Sequence, residues 1–429
     1  MKGIEMKITI ATAVYYPQIN GVAVFSHNLA VGLARRGHQV MVICPSQTGK
    51  NYSRLIDGVK TVYLKSVDAK IYPDQIHAVG AKKKVLGVRW PRLWYKHGFR
   101  VSVFPQREIK RALDDFCPDV VHVQVSDPIG LSVVWWAKKN GVPVVTTEHN
   151  QPDVITDQLH MPIFVKKPAN AMLNMYFRNR QSKSDFVTMP TEKAIRELLG
   201  KGEEFPVPVA AVSNGVDLSN FKPGRASSEL RKKYGINSDA PVVLYVGRVD
   251  PEKKVELVIE AAKQARAKTP QKQGQNDVSR LEVVIVGDGI DKARLERLYR
   301  DEKWVHFLGR IVPPELYEVY RLGDVFVTAS EIETQGIVLI EAAATGLPLI
   351  AVNAGAVGEV CQNNVNGLLC EPGSVVEISD AIVKILSDPA LRERLSKKSI
   401  EIASEHDFEK TLDKFINIYN KVAELEAGK

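Results

Sequence analysis

The stretch Ala329-Ser330-Glu331-Ile332-Glu333-Thr334-Gln335-Gly336-Ile337-Val338-Leu339-Ile340-Glu341-Ala342-Ala343-Ala344-Thr345-Gly346-Leu347-Pro348 decides how this chain is read. Val325, Phe326 and Val327 ahead of it form an apolar run of strand length, and Ile337 to Ala344, stopped by Gly346 and Pro348, form a helical run. The junction is predicted to be a buried strand's carboxyl end meeting a helix's amino end, where open α/β sheets hold ligands. The amides of Gly336, Ile337 and Val338 have no acceptor inside such a helix and, with its dipole, favour an anion. Glu333 stands before the helix and Glu341 about one and a half turns inside it. An anion site beside two acceptors for hydroxyl groups suits a sugar joined to a diphosphate. Each Glu is also explained as a dipole partner or a solvated face, so the rest of the chain has to decide.

With 429 residues, 45% hydrophobic and 25% charged, the chain is long enough for two globular cores. Cys44, Cys117, Cys361 and Cys370 are scattered without a Cys-x-x-Cys pair, which predicts reduced core residues and neither a zinc site nor a disulfide framework. Charges interrupt the amino-terminal apolar positions, so no signal peptide is expected. The longest apolar region, Gly336 to Gly358, is broken by Glu341, Pro348 and Asn353. The expected location is the cytoplasm, free or peripheral on the inner face of the cell membrane.

The net charge of +8 is unevenly placed: ten Lys and Arg fall between Lys82 and Arg111 against one acid, Glu108. Trp90, Trp94, Tyr95, Phe99 and Phe104 are interleaved. Nucleic acid, an anionic bilayer and an ordinary solvated surface all fit such a segment. Nothing else on the chain is basic enough for nucleic acid. The bilayer reading assigns Arg89, Trp90, Arg92, Trp94, Lys96, Phe99 and Arg100 to the membrane surface.

Strands are predicted at Lys7–Ala13, Gln39–Cys44, Val59–Leu64, Asp119–Gln124, Pro143–Thr147 and Asp185–Met189, alternating with helices at Val22–Arg36, Arg107–Phe116, Ile129–Asn140, Pro168–Ser182 and Thr191–Leu199. A linker follows, and Pro208 to Val216 opens a second alternating run with strands at Val242–Val246, Leu281–Val286, Val305–Leu308, Asp324–Thr328 and Leu349–Val352. The polar segment Pro270–Ser279 reads as a surface insertion. The last helix, Phe408 to Glu426, is too apolar for a solvated tail and is expected to return to the first domain. The domains are therefore 1–205, 206–406 and the helix 407–429.

Candidate chemistry sits at strand ends. Gly247, Arg248 and Lys253 follow Val242–Val246 and offer two cations for a diphosphate, although Lys and Arg are usually solvated. Val286-Gly287-Asp288-Gly289 is a second glycine turn, but Lys292 replaces the third glycine of a dinucleotide fingerprint. His149 follows another strand end, where histidine is either structural or functional. Asp127 lies ahead of Pro128 and Ile129, as a site residue or a helix cap. No Asp-x-Asp, His-Glu-x-x-His or Gly-x-Ser-x-Gly is present, and no metal is expected.

With these segments assembled, the chain resembles the family 4 glycosyltransferases, retaining enzymes of the GT-B fold. The resemblance runs through Pro17-Gln18-Ile19-Asn20-Gly21-Val22, His149, Ser213-Asn214-Gly215-Val216-Asp217, Gly247-Arg248 with Lys253, Val286-Gly287-Asp288-Gly289, Phe307-Leu308-Gly309-Arg310 and the two glutamates. It implies α/β architecture of two Rossmann-like, doubly wound parallel-sheet domains facing across a cleft. The first would bind the acceptor and the second the nucleotide sugar. It implies metal-independent transfer of a hexose from a nucleotide-diphosphate sugar, a UDP-sugar being favoured, with no cofactor. Glu333 would contact the sugar hydroxyls, Glu341 the ribose, Arg248 and Lys253 the diphosphate beside the amides of Gly336, Ile337 and Val338. Gly309, Arg310 and Ile311 would meet the base through main-chain groups, and Gly21 and His149 would meet the phosphate and sugar from the first domain. Glu333, His149, Arg248 and Lys253 form the catalytic set, and Asn20, Asp127 and His149 the acceptor set. Glu-Thr-Gln-Gly and Glu-His-Asn-Gln-Pro are similar to the branch that glycosylates diacylglycerol and related membrane lipids. A soluble sugar acceptor, a sugar-nucleotide epimerase and a non-catalytic sugar-nucleotide sensor remain open alternatives.

Overall fold

The structure is a computed structural model that describes residues 5–16, 21–68, 100–124, 127–149, 156, 161–199, 204–269 and 277–427. The chain forms two compact units, Met1–Val212 with Leu412–Lys429, and Ser213–Thr411. The first carries β1 (Lys7–Ala11), β2 (Gln39–Pro45), β3 (Tyr52–Ile56), β4 (Val59–Leu64), β5 (Ser66–Asp68), β6 (Arg100–Ser102), β7 (Val120–Val123), β8 (Val144–Thr147), β9 (Phe186–Met189) and β10 (Val209–Ala211). The second carries β11 (Val242–Val246), β12 (Glu282–Val286), β13 (Val305–Gly309), β14 (Val325–Val327), β15 (Leu349–Val352) and β16 (Gly367–Cys370).

The first unit's main sheet has the order β10-β9-β8-β7-β1-β2-β4-β3, parallel except for the β3–β4 hairpin. The second sheet is parallel throughout in the order β13-β12-β11-β14-β15-β16. Each winds outward in two directions from its centre, so its topological switch point lies between β1 and β7 in one and between β11 and β14 in the other. The central strands are apolar without alternation because helices cover both faces: all five residues of β11 are buried. On one face of the second sheet Val255, Val258 and Ile259 pack with Ile378, Ile382 and Ile385, and on the other Val319, Tyr320, Leu339 and Ile340 pack together. The helix Phe408–Ala427 places Phe415 against Phe25 at 5.9 Å within the first unit, and Asp413 pairs with Arg36.

Several elements depart from the sequence reading. Val209, Ala210 and Ala211 pair with β9, so the segment expected to open the second domain is the edge of the first sheet, and the units divide at Val212 and Ser213. The β3–β4 hairpin turns at Asp57-Gly58, both at positive φ, an Asp-Gly turn signal that went unread. Strand β16, Gly367–Cys370, was not among the expected strands. The helix Ile163–Gln181 starts five residues before Pro168, which lies inside it. Asp277 and Val278, assigned to a surface insertion, are buried, while 270–276 lie outside the described residues. Cys117, expected in the core, is exposed at the end of the helix Gln106–Phe116, where it takes φ 50°; the other three cysteines are buried.

Candidate functional site

At the second sheet's switch point, the loops leaving β11 and β14 meet. The backbone ties the strand ends together: the Gly247 amide donates to Val286 O at 2.9 Å and the Gly287 amide to Gly309 O at 2.8 Å. A Cβ at Gly287 would lie 1.8 Å from Gly247 O, so this glycine is there for close approach of two main chains. The turn Pro251–Lys253 then brings Lys253 across to the loop after β14, where its Nζ donates to Glu333 Oε1 at 2.6 Å, Ile332 O at 3.0 Å and Ser330 Oγ at 3.3 Å. Two residues expected at the diphosphate and the sugar are thus joined as a mostly buried ion pair, with side-chain exposures of 13% and 17%.

Glu333 is also held through its backbone, its carbonyl accepting from Ala356 N at 2.9 Å beside Gly355, φ 53°. Gly336 takes φ 73° as the left-handed residue that opens the helix Ile337–Ala344. The first-turn amides of Ile337 and Val338 lack intrahelical acceptors, which makes this end of the helix receptive to an anion. Gln335, two residues after Glu333, is buried. Its amide nitrogen donates to Ser213 Oγ at 2.5 Å and its oxygen accepts from Asn214 N at 3.2 Å.

Glu341 receives a hydrogen bond from the buried Tyr320 hydroxyl. Desolvation is the larger influence on its carboxyl and pushes its pKa up to about 7, although the Tyr320 bond favours the charged form. The Arg248 guanidinium pairs with Asp250 and, at 2.7 Å, with Glu252 on its own loop. Gly309 sits at φ 69° with its carbonyl occupied by Gly287 N, Arg310 is exposed, and Ile311 packs on the core. Sequence reasoning missed Tyr320, Ser330 and Gln335. Ser330 and Gln335 both lie inside the stretch Ala329–Pro348, whereas Tyr320 lies outside it.

In the first unit Gly21 begins the helix Gly21–Arg35 after β1, and among the described residues nothing lies within 4 Å of where a Cβ would stand. Asp127 follows β7 and caps the helix Pro128–Lys139, its Oδ1 accepting from Gly130 N at 2.8 Å. Burial raises its pKa to about 6. His149 follows β8, buried, with Nε2 at 2.8 Å from Gln124 Oε1, and desolvation lowers its pKa to about 4. Asn20, Arg89, Trp90, Arg92, Trp94, Lys96 and Phe99 lie outside the described residues. Arg100, the one residue of the expected membrane set that is described, belongs to β6 and donates to Ser66 Oγ at 2.8 Å and Ser66 O at 2.9 Å, so its guanidinium holds two segments of this unit together.

A family model for glycosyltransferase family 4 matches residues 19–220, and one for glycosyl transferases group 1 matches residues 226–402. The chain is 27% identical over 409 residues to the alpha-monoglucosyldiacylglycerol synthase of Acholeplasma laidlawii, covering 92% of each. It is 27% identical over 314 residues to a sulfoquinovosyl transferase of Arabidopsis thaliana, covering 70% of this chain and 56% of that relative. Among solved structures, an Anabaena protein in complex with UDP and glucose shares the fold with a TM-score of 0.67 at 17% identity, over 97% of this chain and all of that one. The chain belongs to the glycosyltransferases of the GT-B fold, its first unit matching family 4 and its second the group 1 transferases.

Proposed function

We propose that this glycosyltransferase moves a hexose, with retention and without a metal, from a UDP-sugar to the hydroxyl of a membrane lipid such as diacylglycerol. The observation that carries the reading is the Lys253–Glu333 pair beside the amino end of the helix Ile337–Ala344, at the switch point of a parallel sheet. In the reaction the bond from the anomeric carbon to the diphosphate oxygen breaks and a bond from that carbon to the acceptor oxygen forms on the same face. The acceptor's proton passes to an oxygen of the departing UDP. Lys253, Arg248 and the amides of Gly336, Ile337 and Val338 meet the charge that grows on the diphosphate, a single such donor being worth roughly 3 kcal/mol in the transition state. Glu333 holds the sugar hydroxyls, Glu341 the ribose, and Gly309 to Ile311 the base. Gly21 leaves room for the phosphates, and His149 meets the sugar. Arg248 reaches the diphosphate by leaving Asp250 and Glu252, carboxylates that hold it only while no anion competes.

The lipid acceptor is favoured by the similarity to the alpha-monoglucosyldiacylglycerol synthase and by the helix Ile163–Gln181, which carries Lys166, Lys167, Arg178 and Arg180 and no acidic residue. Phe164, Met172 and Met175 on it are 79%, 63% and 68% exposed, the pattern of a helix lying on an anionic bilayer rather than in a protein core. Among the described residues no helix is long and apolar enough to cross a membrane. Thermal-shift measurement with UDP-, GDP- and ADP-sugars tests the donor side, since a ligand of the folded state raises the melting temperature with its saturation. Stabilisation by UDP-sugars that disappears in Lys253→Ala supports the assignment. Equal stabilisation of the variant and the native chain overturns it.

A further inference from the structure

The interior of the first unit holds a connected polar set on which the donor assignments do not draw. His122 on β7 is fully buried, its Nδ1 2.7 Å from the Tyr419 hydroxyl and its Nε2 2.6 Å from the Thr147 hydroxyl. Thr147 ends β8 two residues before His149 and shares its hydroxyl with Thr188 on β9 at 2.6 Å. Gln124, just beyond β7, brings its amide nitrogen to 3.2 Å from the His122 ring and its amide oxygen to 2.8 Å from His149 Nε2. Phe25 stands edge-on to the His149 ring with centroids 5.3 Å apart, and Phe415 packs on His122 at 5.2 Å.

An amide oxygen only accepts, so His149 Nε2 is the nitrogen that carries the hydrogen. Desolvation keeps both imidazoles neutral, with pKa values near 3 for His122 and 4 for His149. In neutral His149 the other nitrogen, Nδ1, is then a lone-pair acceptor, and among the described residues it makes no hydrogen bond. We propose that Gln124, His122 and Tyr419 are positioning residues that hold His149 as its Nε2-protonated tautomer and so present Nδ1 to a hydroxyl of the bound sugar. The proposal rests on the reading of His149 as a residue that meets the donor sugar. It gives the last helix a task beyond apolar packing: Tyr419, far along the chain from His122, supplies a polar group deep under β7 and β8.

The test uses the full chain with nitrogen-15 in its histidines, comparing native protein with Gln124→Leu, Gln124→Glu, Tyr419→Phe and His149→Ala. Native His149 is expected to show the nitrogen shifts of the Nε2-protonated tautomer. Gln124→Leu is expected to mix the tautomers and lower kcat about tenfold or more, with donor KM little changed, the size of effect that loss of orientation produces. Gln124→Glu restores an acceptor oxygen for Nε2 while its charge raises the pKa of His149, so the Nε2-protonated tautomer and most of kcat should return above that raised pKa and fall below it, whereas a merely structural role predicts no such rescue. Tyr419→Phe is expected to lower kcat severalfold. An Nδ1-protonated His149 in the native protein overturns the proposal. So does a folded Gln124→Leu protein with the native tautomer and turnover. If Gln124→Leu does not fold, the native tautomer and Tyr419→Phe decide, and a native rate in Tyr419→Phe removes that residue from the set. Full turnover by His149→Ala would instead remove His149 from the donor site, while the nitrogen shifts still report on its support.

Discussion

Donor affinity should depend on pH through Glu341. Its carboxyl, raised to about 7 by burial under Tyr320, is about half ionised at neutral pH. A carboxylate accepts from two ribose hydroxyls, whereas the protonated form has one oxygen occupied by its own hydrogen. If only the ionised form binds well, the competent fraction is about one tenth at pH 6 and nine tenths at pH 8, and apparent KM scales inversely with that fraction. The donor KM should therefore fall about tenfold from pH 6 to pH 8. The diphosphate of a nucleotide sugar has no group titrating in this interval, so the slope belongs to the protein. Glu341→Gln should bind more weakly and lose the slope. A flat KM in the native protein, or an undiminished slope in Glu341→Gln, would refute the reasoning. The same group sets a stability profile. Between its unfolded value of 4.5 and about 7 the folded state retains a proton that the unfolded state releases, so this contribution is full below pH 4.5 and is lost as pH rises through 7. The loss amounts to about 3 kcal/mol, and Glu341→Gln should flatten urea stability against pH across that window.

Further outcomes can be measured on the same protein. Lys253→Ala should lower turnover at saturating donor by about two orders of magnitude, and Arg248→Ala by a comparable or smaller factor because Arg248 must first leave Asp250 and Glu252; near-native rates in either remove it from the diphosphate. Gly336→Ala forces an L-residue to φ 73° with a Cβ 2.8 Å from Leu339 Cδ1, and should cost roughly 1–2 kcal/mol in denaturant unfolding. Gly287→Ala meets backbone 1.8 Å away and should fail to fold or melt far lower; native melting would contradict the packing of the strand ends. In sedimentation, vesicles with anionic lipid should retain the protein at low salt and release it as salt rises, with Lys166→Gln and Lys167→Gln weakening retention; equal binding to neutral vesicles would remove the electrostatic account.

How much was readable depended on what each feature needs. Strands β11 and β15 were placed to the residue because each is an uninterrupted apolar run that starts after a proline, and the helix Ile337–Ala344 because Gly336 and Gly346 bound a run broken only by Glu341. The β3–β4 hairpin was missed although Asp57-Gly58 announced it, and β10 was given to the wrong unit because three residues beside two prolines carry no direction. At the site, Lys253 and Glu333 were named separately, but their contact spans 80 positions and only folding reveals it. Tyr320 carried no signal of its own, and Tyr419 counted only among the apolar positions of the last helix. A tyrosine's hydroxyl partner is chosen by tertiary packing, here Glu341 and His122, and leaves no trace in local pattern.

The central claim is retaining transfer to a lipid, and the measurement closest to it is the anomeric configuration of the product. Purified protein would be incubated with a UDP-hexose and diacylglycerol in anionic vesicles, and the glycolipid examined by proton NMR. The account predicts an α-linked glycolipid from an α-linked donor, formed without added divalent metal and absent with Glu333→Gln. A β-linked product, or conversion of the donor to its epimer or to free sugar with no glycolipid formed, would contradict it.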